Sequence, residues 1–444
     1  MARIVLNTFG SLGDLHPYLA IAIGLRRRGL DVVVATSEVY RDKVLAEGVE
    51  FAPVRPDVGE LLHRPELIEK LWDGRTGSEF LIREYILPRL EESYEDLLGA
   101  CRGADLLLTH VAGYGGPIVA EALKIPWISL ALQPMVFFSA HDPPVIPGAA
   151  WLRHFYRWGP SVFRALMAGG RSRLNSWAEP IVRLRTRLGL PGSKANPLLG
   201  GQFSPAGTLA LFSRHFAGPQ TDWPPNSRQT GFVFYDRQGR IPRASEEAGD
   251  FGSEIERFLA AGPPPVLFTL GSSAVTHPGT FFRESMAAAE ASGARAVLLT
   301  GPLERNVLPQ PIPASIFVAN YLPYSEIMPR VAAVVHQGGI GTTAQALRSG
   351  RPSLVVPWAH DQPDNAARLV KLGVARTMAR DRYTARRVAG ELSRLFKDNE
   401  YRRRAGEIGQ KIASEDGLTA AVDAVVEIVS KARGLTQTKS GQRK

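Results

Sequence analysis

Residues 331–369 read VAAVVHQGGIGTTAQALRSGRPSLVVPWAHDQPDNAARL. The apolar run 331–335 predicts a buried strand. The turn His336-Gln-Gly-Gly-Ile-Gly-Thr-Thr follows it. A helix then takes over with Ala344 and Leu347 on its buried face, and Gly350 and Pro352 end it. A second apolar strand, 353–356, leads into Pro357-Trp-Ala-His-Asp-Gln, and Asp364 or a polar neighbour can cap the next helix. Strand, helix and strand in this order predict an α/β protein with a parallel sheet.

A glycine-rich turn between strand and helix suits a diphosphate. Gly338, Gly339 and Gly341 let the backbone approach the oxygens. The free N–H groups and the dipole of the following helix favour the anion. Thr342 and Thr343 add hydroxyls, and His336 adds an imidazole donor at the strand end. Glycines after a strand also make an ordinary tight turn. Here, however, Asp361 and Gln362 stand at the end of the next strand. In open α/β sheets such strand ends meet at the ligand crevice. An acid beside an amide offers acceptors and donors to sugar hydroxyls.

The pattern HxGGxGTTxxALxxGxPxxxxPxxxDQxxNA resembles the donor-binding signature of the family 1 nucleotide-sugar glycosyltransferases. The resemblance implies the GT-B fold, two Rossmann-like domains facing a central cleft. It implies that His336 and the glycine turn hold the donor's diphosphate, and that Asp361 and Gln362 hold its sugar. By position, Ser272 and Ser273 would add phosphate donors, and Tyr321-Leu322 would be the base-stacking segment. Within the family the likeness is greatest to bacterial rhamnosyltransferases of the rhamnolipid type and to flavonoid and sterol glycosyltransferases. The residues that suggest this are Ser139-Ala-His-Asp-Pro-Pro, the TDWP…TGFVFYD stretch and AHDQPDNAARL. Plant members carry a ribose-binding glutamate where this chain has Ala344, which permits a deoxyribose nucleotide such as dTDP without excluding UDP.

The chain opens with a strand over 3–8, the loop Gly10-Ser-Leu-Gly-Asp-Leu-His-Pro17, a helix expected over 18–28 and a strand over 31–36. The loop therefore lies at a strand's carboxyl end. It resembles the N-terminal loop of bacterial and fungal GT-B enzymes, which puts Asp14 in the place of the catalytic base and Gly13 beside the donor. Asp14 could instead simply cap the next helix, and His16 is a rival base. His110 ends a strand over 104–109. In plant relatives an aspartate near this point orients a catalytic histidine, so the two residue types would be exchanged here.

The expected organisation is an acceptor-binding domain over 1–236, a linker over 237–252, a donor-binding domain over 253–414, a closing helix over 415–430 and a basic, flexible tail over 431–444. Residues 60–100 are expected to cover the acceptor cleft. Residues 151–188 interleave Trp151, Phe155, Tyr156, Trp158, Phe163 and Met167 with arginines. They read as a helix pair lining an apolar acceptor pocket, as a weak peripheral membrane contact, or as an amphipathic helix packed on the sheet.

At 444 residues, two or three domains are expected. One cysteine, Cys101, excludes an internal disulfide. The first residues reach polar and glycine positions too soon for an export signal, so a cytoplasmic protein is expected. Net charge is +10, but no nucleic-acid motif accompanies it. No Asp-x-Asp occurs, so no metal and no cofactor beyond the co-substrate, a UDP- or dTDP-hexose, is expected. The expected reaction is inverting transfer of a hexose to a hydroxyl of an apolar acceptor: a flavonoid, sterol or hydroxy fatty acid. A catalytically silent nucleotide-sugar-binding helper is a competing reading, opposed by Asp14 beside an intact diphosphate loop. A sugar-nucleotide epimerase is another, opposed by the aromatic stretch.

Overall fold

In the computed structural model, residues 1–62, 64–192, 195–235, 251–301, 306–432 and 434 are described. Two parallel sheets organise them. The first contains β1 (Arg3–Asn7), β2 (Asp31–Thr36), β3 (Glu50–Pro53), β4 (Leu106–His110), β5 (Trp127–Ala131), β6 (Thr208–Ala210) and β7 (Ser227–Gln229), in the order β3-β2-β1-β4-β5-β6-β7. The second contains β8 (Val266–Thr269), β9 (Ala296–Leu299), β10 (Ile316–Ala319), β11 (Ala333–His336), β12 (Ser353–Val355) and β13 (Ala375–Thr377), in the order β10-β9-β8-β11-β12-β13. The central strands are buried on both faces because helices cover both sides, which is why β4 and β8 each open on three apolar residues in a row before their polar ends.

In each parallel sheet the strand order reverses once, between β1 and β4 and between β8 and β11. Ligand crevices of doubly wound sheets open at this switch point, beyond the carboxyl ends of the strands. The loops after β1, β4, β8 and β11 are thus the four that matter most.

Two expectations about elements change, and the closing helix gains a place in the fold. The first helix runs Leu12–Arg27, not 18–28, so the loop motif is mostly helical. Ser11 and Asp14 form a capping box that starts the helix six residues before Pro17, and Pro17 lies inside it. Residues 60–100 do not serve the first sheet alone. Ile68 and Trp72 pack into the core of the second sheet with Phe268 and Trp358. The Trp72 Nε1–H donates to Thr276 Oγ1 at 3.4 Å, and Ser78 Oγ meets His360 Nδ1 at 3.1 Å. Finally, the last helix, Gly417–Ala432, returns to the first sheet, where Val422 and Val425 join a core with Leu19 and Leu25. The expected linker, 237–252, lies outside the described residues except for its last two, which begin the helix Phe251–Ala260. Most of the expected tail, 431–444, also lies outside them.

Candidate active site

The β11 turn has the geometry of an anion site. His336 is fully buried, and its Nδ1 accepts the backbone N–H of Gly338 at 3.1 Å. That bond fixes the tautomer: Nε2 carries the proton, and no protein atom receives it. Burial pushes the imidazole down to about 3, so it is a neutral donor. Gly338 has φ +91°, and a Cβ there would stand 2.9 Å from Val355 Cγ1 and 3.2 Å from the Gln362 carbonyl oxygen. Only glycine fits. The helix Ile340–Arg348 then begins, with Gly339 as its N-cap and no side chain capping it. Its first N–H groups therefore remain available to a ligand.

Neighbouring residues sort themselves by burial. The hydroxyl of Thr342 interacts with half-buried Tyr324, whose own hydroxyl bonds Thr269 at 2.7 Å. Thr343 is fully buried, and its Oγ1 meets no partner. Ser272 is exposed and Ser273 half-buried in the β8 turn. The first residue of that turn, Gly271 (φ +66°), has no room for a side chain, since a Cβ would stand 2.4 Å from Gln337 Nε2. Gln337 was missed by sequence reasoning, yet it wedges the turns after β8 and β11 together. Tyr321, two residues after β10, is 69% exposed, whereas Leu322 is turned into the core beside Ile327 and Met328. The Leu322 side chain is therefore not part of the site surface.

Asp361 and Gln362 lie beside the same turn. Asn365 Nδ2 donates to Gly338 O at 2.9 Å and to Asp361 Oδ2 at 2.6 Å. One buried amide thus joins the turn after β11 to the Asp361 carboxylate. Burial, and next the charge of Asp14, push Asp361 up to about 7, against the Asn365 bond. Gln362 Oε1 accepts the N–H groups of Trp358 and Ala359 at 2.8 and 3.3 Å. Half of the Gln362 amide therefore shapes its own loop.

Across the cleft, Asp14 uses its two oxygens differently. Oδ2 accepts the Ser11 N–H at 2.8 Å, which is the helix cap. Oδ1 lies 3.9 Å from His110 Nε2. The Nδ1 of His110 accepts the Ala112 N–H at 3.2 Å, so its Nε2 also carries the proton. Burial raises Asp14 above the ordinary carboxylate range, partly offset by His110 and Ser11. Burial also lowers His110, partly offset by Asp14. Tyr18, one helical turn beyond Asp14, is buried with its hydroxyl unpartnered and its ring 6.3 Å from that of His110. Its four-residue spacing from Asp14 would have marked it, had the helix been placed from Leu12. His16 points elsewhere: it stacks on Tyr235 at 4.8 Å, and burial, with Lys43 nearby, pushes it down to about 3. Residues two apart on a helix face opposite sides.

The two halves meet. A Cβ on Gly341 would stand 3.5 Å from Gly13 Cα, so the Asp14 loop and the anion-binding helix start lie face to face. A second bridge fastens the loop after β5. Asp222 accepts from Ser139 Oγ at 2.6 Å and the Ala140 N–H at 2.7 Å. Asp142 pairs with Arg368, which also donates through Nε to Asp364 at 2.8 Å. Asp364 accepts the Val145 N–H at 2.9 Å. Near the end of β1, a cavity of about 20 Å³, room for one water, has a mixed lining: Phe9, Ile86 and Leu90 with Asn7, Arg55 and Ser93 among others. Trp151 and Trp158 are exposed to solvent. Among the described residues no three His, Cys, Asp or Glu side chains are placed to hold a metal ion, and no helix is long and apolar enough to cross a membrane.

Comparison with known proteins agrees with this arrangement. Residues 4–137 match the glycosyltransferase family 28 N-terminal domain, and residues 289–428 the erythromycin biosynthesis protein CIII-like C-terminal domain. The chain is 32% identical over 432 residues to O-mycaminosyltylonolide 6-deoxyallosyltransferase of Streptomyces fradiae, covering 94% of this chain and 95% of that one. It is 28% identical over 459 residues to a sterol 3-beta-glucosyltransferase of Aspergillus terreus; the match takes in 99% of this chain but only 31% of that longer protein. The crystal structure of a calicheamicin glycosyltransferase superposes with a TM-score of 0.70 at 18% identity, over 97% of this chain and 99% of the other. A spinosyn rhamnosyltransferase solved with thymidine diphosphate gives 0.67 at 18%, over 96% and 100%. At such identities the structures establish the shared GT-B fold.

Proposed function

The chain belongs to the glycosyltransferases, and on that premise we propose that it transfers a hexose, with inversion, from a UDP- or dTDP-sugar to a hydroxyl of an apolar small molecule. Its partners in this reading are the nucleotide sugar, the acceptor and, weakly, a membrane surface. The observation that carries the reading is the approach of Gly13 to Gly341, which sets Asp14 opposite an uncapped helix start and the free Nε2–H of His336.

The donor's diphosphate lies on the β11 turn. His336 and the first N–H groups of the helix Ile340–Arg348 stabilise the charge that develops as the anomeric carbon–oxygen bond breaks. Asp361 and Gln362 hold the sugar. The acceptor hydroxyl gives its proton to Asp14 Oδ1 as its oxygen attacks from the face opposite the diphosphate. Neutral His110 keeps its own proton and steadies the carboxylate. Ala344 at the ribose position is compatible with a deoxyribose donor. The test is a mass-spectrometric screen of UDP-glucose and dTDP-rhamnose against flavonoid, sterol and hydroxy-fatty-acid acceptors. A new product heavier by one hexose is expected; hydrolysis or epimerisation of the donor alone would overturn the reading.

A further inference from the structure

Between Asp142 and Glu179 the chain contains no acidic residue and five arginines. The 3-10 helix Ala150–Trp158 lies within this stretch. Trp151 and Trp158 are 56% and 57% exposed. Phe155 sits between them, its ring edge-to-face with both at 5.8 and 4.9 Å. The three rings form one surface cluster. Arg153 and Arg157 are exposed beside it, with the Arg157 guanidinium 5.6 Å from the centre of the Trp158 ring. Isolated surface aromatics need no explanation, but a contiguous aromatic cluster ringed by arginines does.

The cluster is anchored from beneath. Tyr156 donates its hydroxyl to Pro144 O at 2.5 Å and packs edge-to-face on buried Phe163 at 5.3 Å. The next residue of that loop, Val145, bonds Asp364 in the helix Gln362–Lys371, whose start carries the sugar-side residues. The exposed rings are thereby fixed relative to the mouth of the cleft.

We propose that this segment docks the protein on an anionic lipid surface. Indole rings settle at the headgroup level of a bilayer, and arginines beside them pair with anionic headgroups. A second copy of the chain fits less well, because a two-fold contact would set these arginines against themselves. Docking does not depend on the glycosyl-transfer reading; its use, bringing the cleft to an acceptor dissolved in lipid, rests on it.

The experiment uses the full chain with vesicles of phosphatidylcholine alone and with phosphatidylglycerol added. Co-sedimentation and a blue shift of tryptophan emission are expected only with the anionic vesicles, and both should fall as salt is raised. Arg153→Gln with Arg157→Gln should weaken binding about thirtyfold. Trp151→Ala with Trp158→Ala should remove the blue shift. Both double variants should keep wild-type turnover on a water-soluble acceptor. Equal binding to both vesicle types, no binding, or binding indifferent to both variants would overturn docking. So would a concentration-dependent dimer in light scattering that the tryptophan variant disperses. Normal docking by a chain that transfers no sugar would instead leave docking standing and sink the glycosyl-transfer reading.

Discussion

His110 and His336 occupy the same place in the two sheets. Each is the last residue of the strand beyond the switch point, β4 and β11. Each accepts at Nδ1 the backbone N–H two residues on, at 3.2 and 3.1 Å. Each is buried with Nε2 unpartnered. One local device thus supplies two neutral N–H donors, one on each side of the cleft. What differs is what faces them: Asp14 on one side, and a helix start ready for an anion on the other.

His336→Ala should therefore weaken donor binding more than it weakens the fold. A hydrogen bond to a charged oxygen is worth about 1.5–3 kcal/mol, or roughly 10- to 150-fold in affinity. Calorimetric titration with UDP and dTDP measures it. Wild-type affinity in the variant would remove His336 from the diphosphate site.

Gln362→Ala should do two things at once. The N–H groups of Trp358 and Ala359 lose their acceptor, at about 1–3 kcal/mol for each buried orphan. The ratio of rates for two donor sugars should also change, because a site built to pair hydroxyls discriminates among them. A lower Tm with an unchanged ratio would confine Gln362 to the loop.

Asp361 offers a pH test. In the fold it is pushed up to about 7, from an unfolded value near 3.9. Between these values the native state holds a proton that the unfolded chain releases. Stability is therefore full below about pH 4, declines as pH rises towards 7 and is level above it, with an upper bound of about 4 kcal/mol. Asp361→Asn has no such term. Its Tm should match the wild type near pH 4 and exceed it above pH 7, by calorimetry. A Tm difference independent of pH would contradict the assignment.

The bridge through Arg368 should matter for stability. Arg368 is 7% exposed and reaches Asp364 through Nε and Asp142 through Nη1. Arg368→Ala leaves buried Asp364 without its cation, a loss of about 3–5 kcal/mol. Arg368→Lys should recover less than half, since one ammonium lacks the fork that spans two carboxylates. Urea unfolding compares the three, and equal stability of the alanine and lysine variants would argue against the fork.

Much of this was legible in the sequence. The turn from His336 to Thr343 declares itself because glycine spacing, a strand before it and a helix after it are all local properties. Gly338 is a case where the residue type follows from φ and from contact with Val355. The Asp142–Arg368–Asp364 bridge was not legible, because its partners lie 226 residues apart in the longest bond. Nothing local marks Asp142 as different from any surface acid. The same holds for Trp72, which lies between the strands of the first sheet in sequence but is buried in the second core. The helix start was misplaced because Pro17 reads as a boundary, whereas the Ser11–Asp14 capping box outweighs it.

The base is the last test. Asp14 Oδ2 is committed to the helix cap, which leaves Oδ1, 3.9 Å from His110, to receive a proton. Burial raises its affinity for that proton, which makes it a better base than a free carboxylate. Turnover should rise with pH through this raised value, since only the ionised form acts. Asp14→Asn keeps an acceptor for the Ser11 N–H, so the cap and donor binding should survive. Turnover should fall by about 10²- to 10⁴-fold, the usual contribution of a general base. His110→Ala should cost less, because it removes a supporting donor and not the base. His16→Ala should change turnover least: its ring stacks on Tyr235, and its loss should appear in Tm. Turnover, donor affinity and Tm on the three variants decide the order. An active Asp14→Asn enzyme beside an inactive, folded His16→Ala enzyme would move the base to His16.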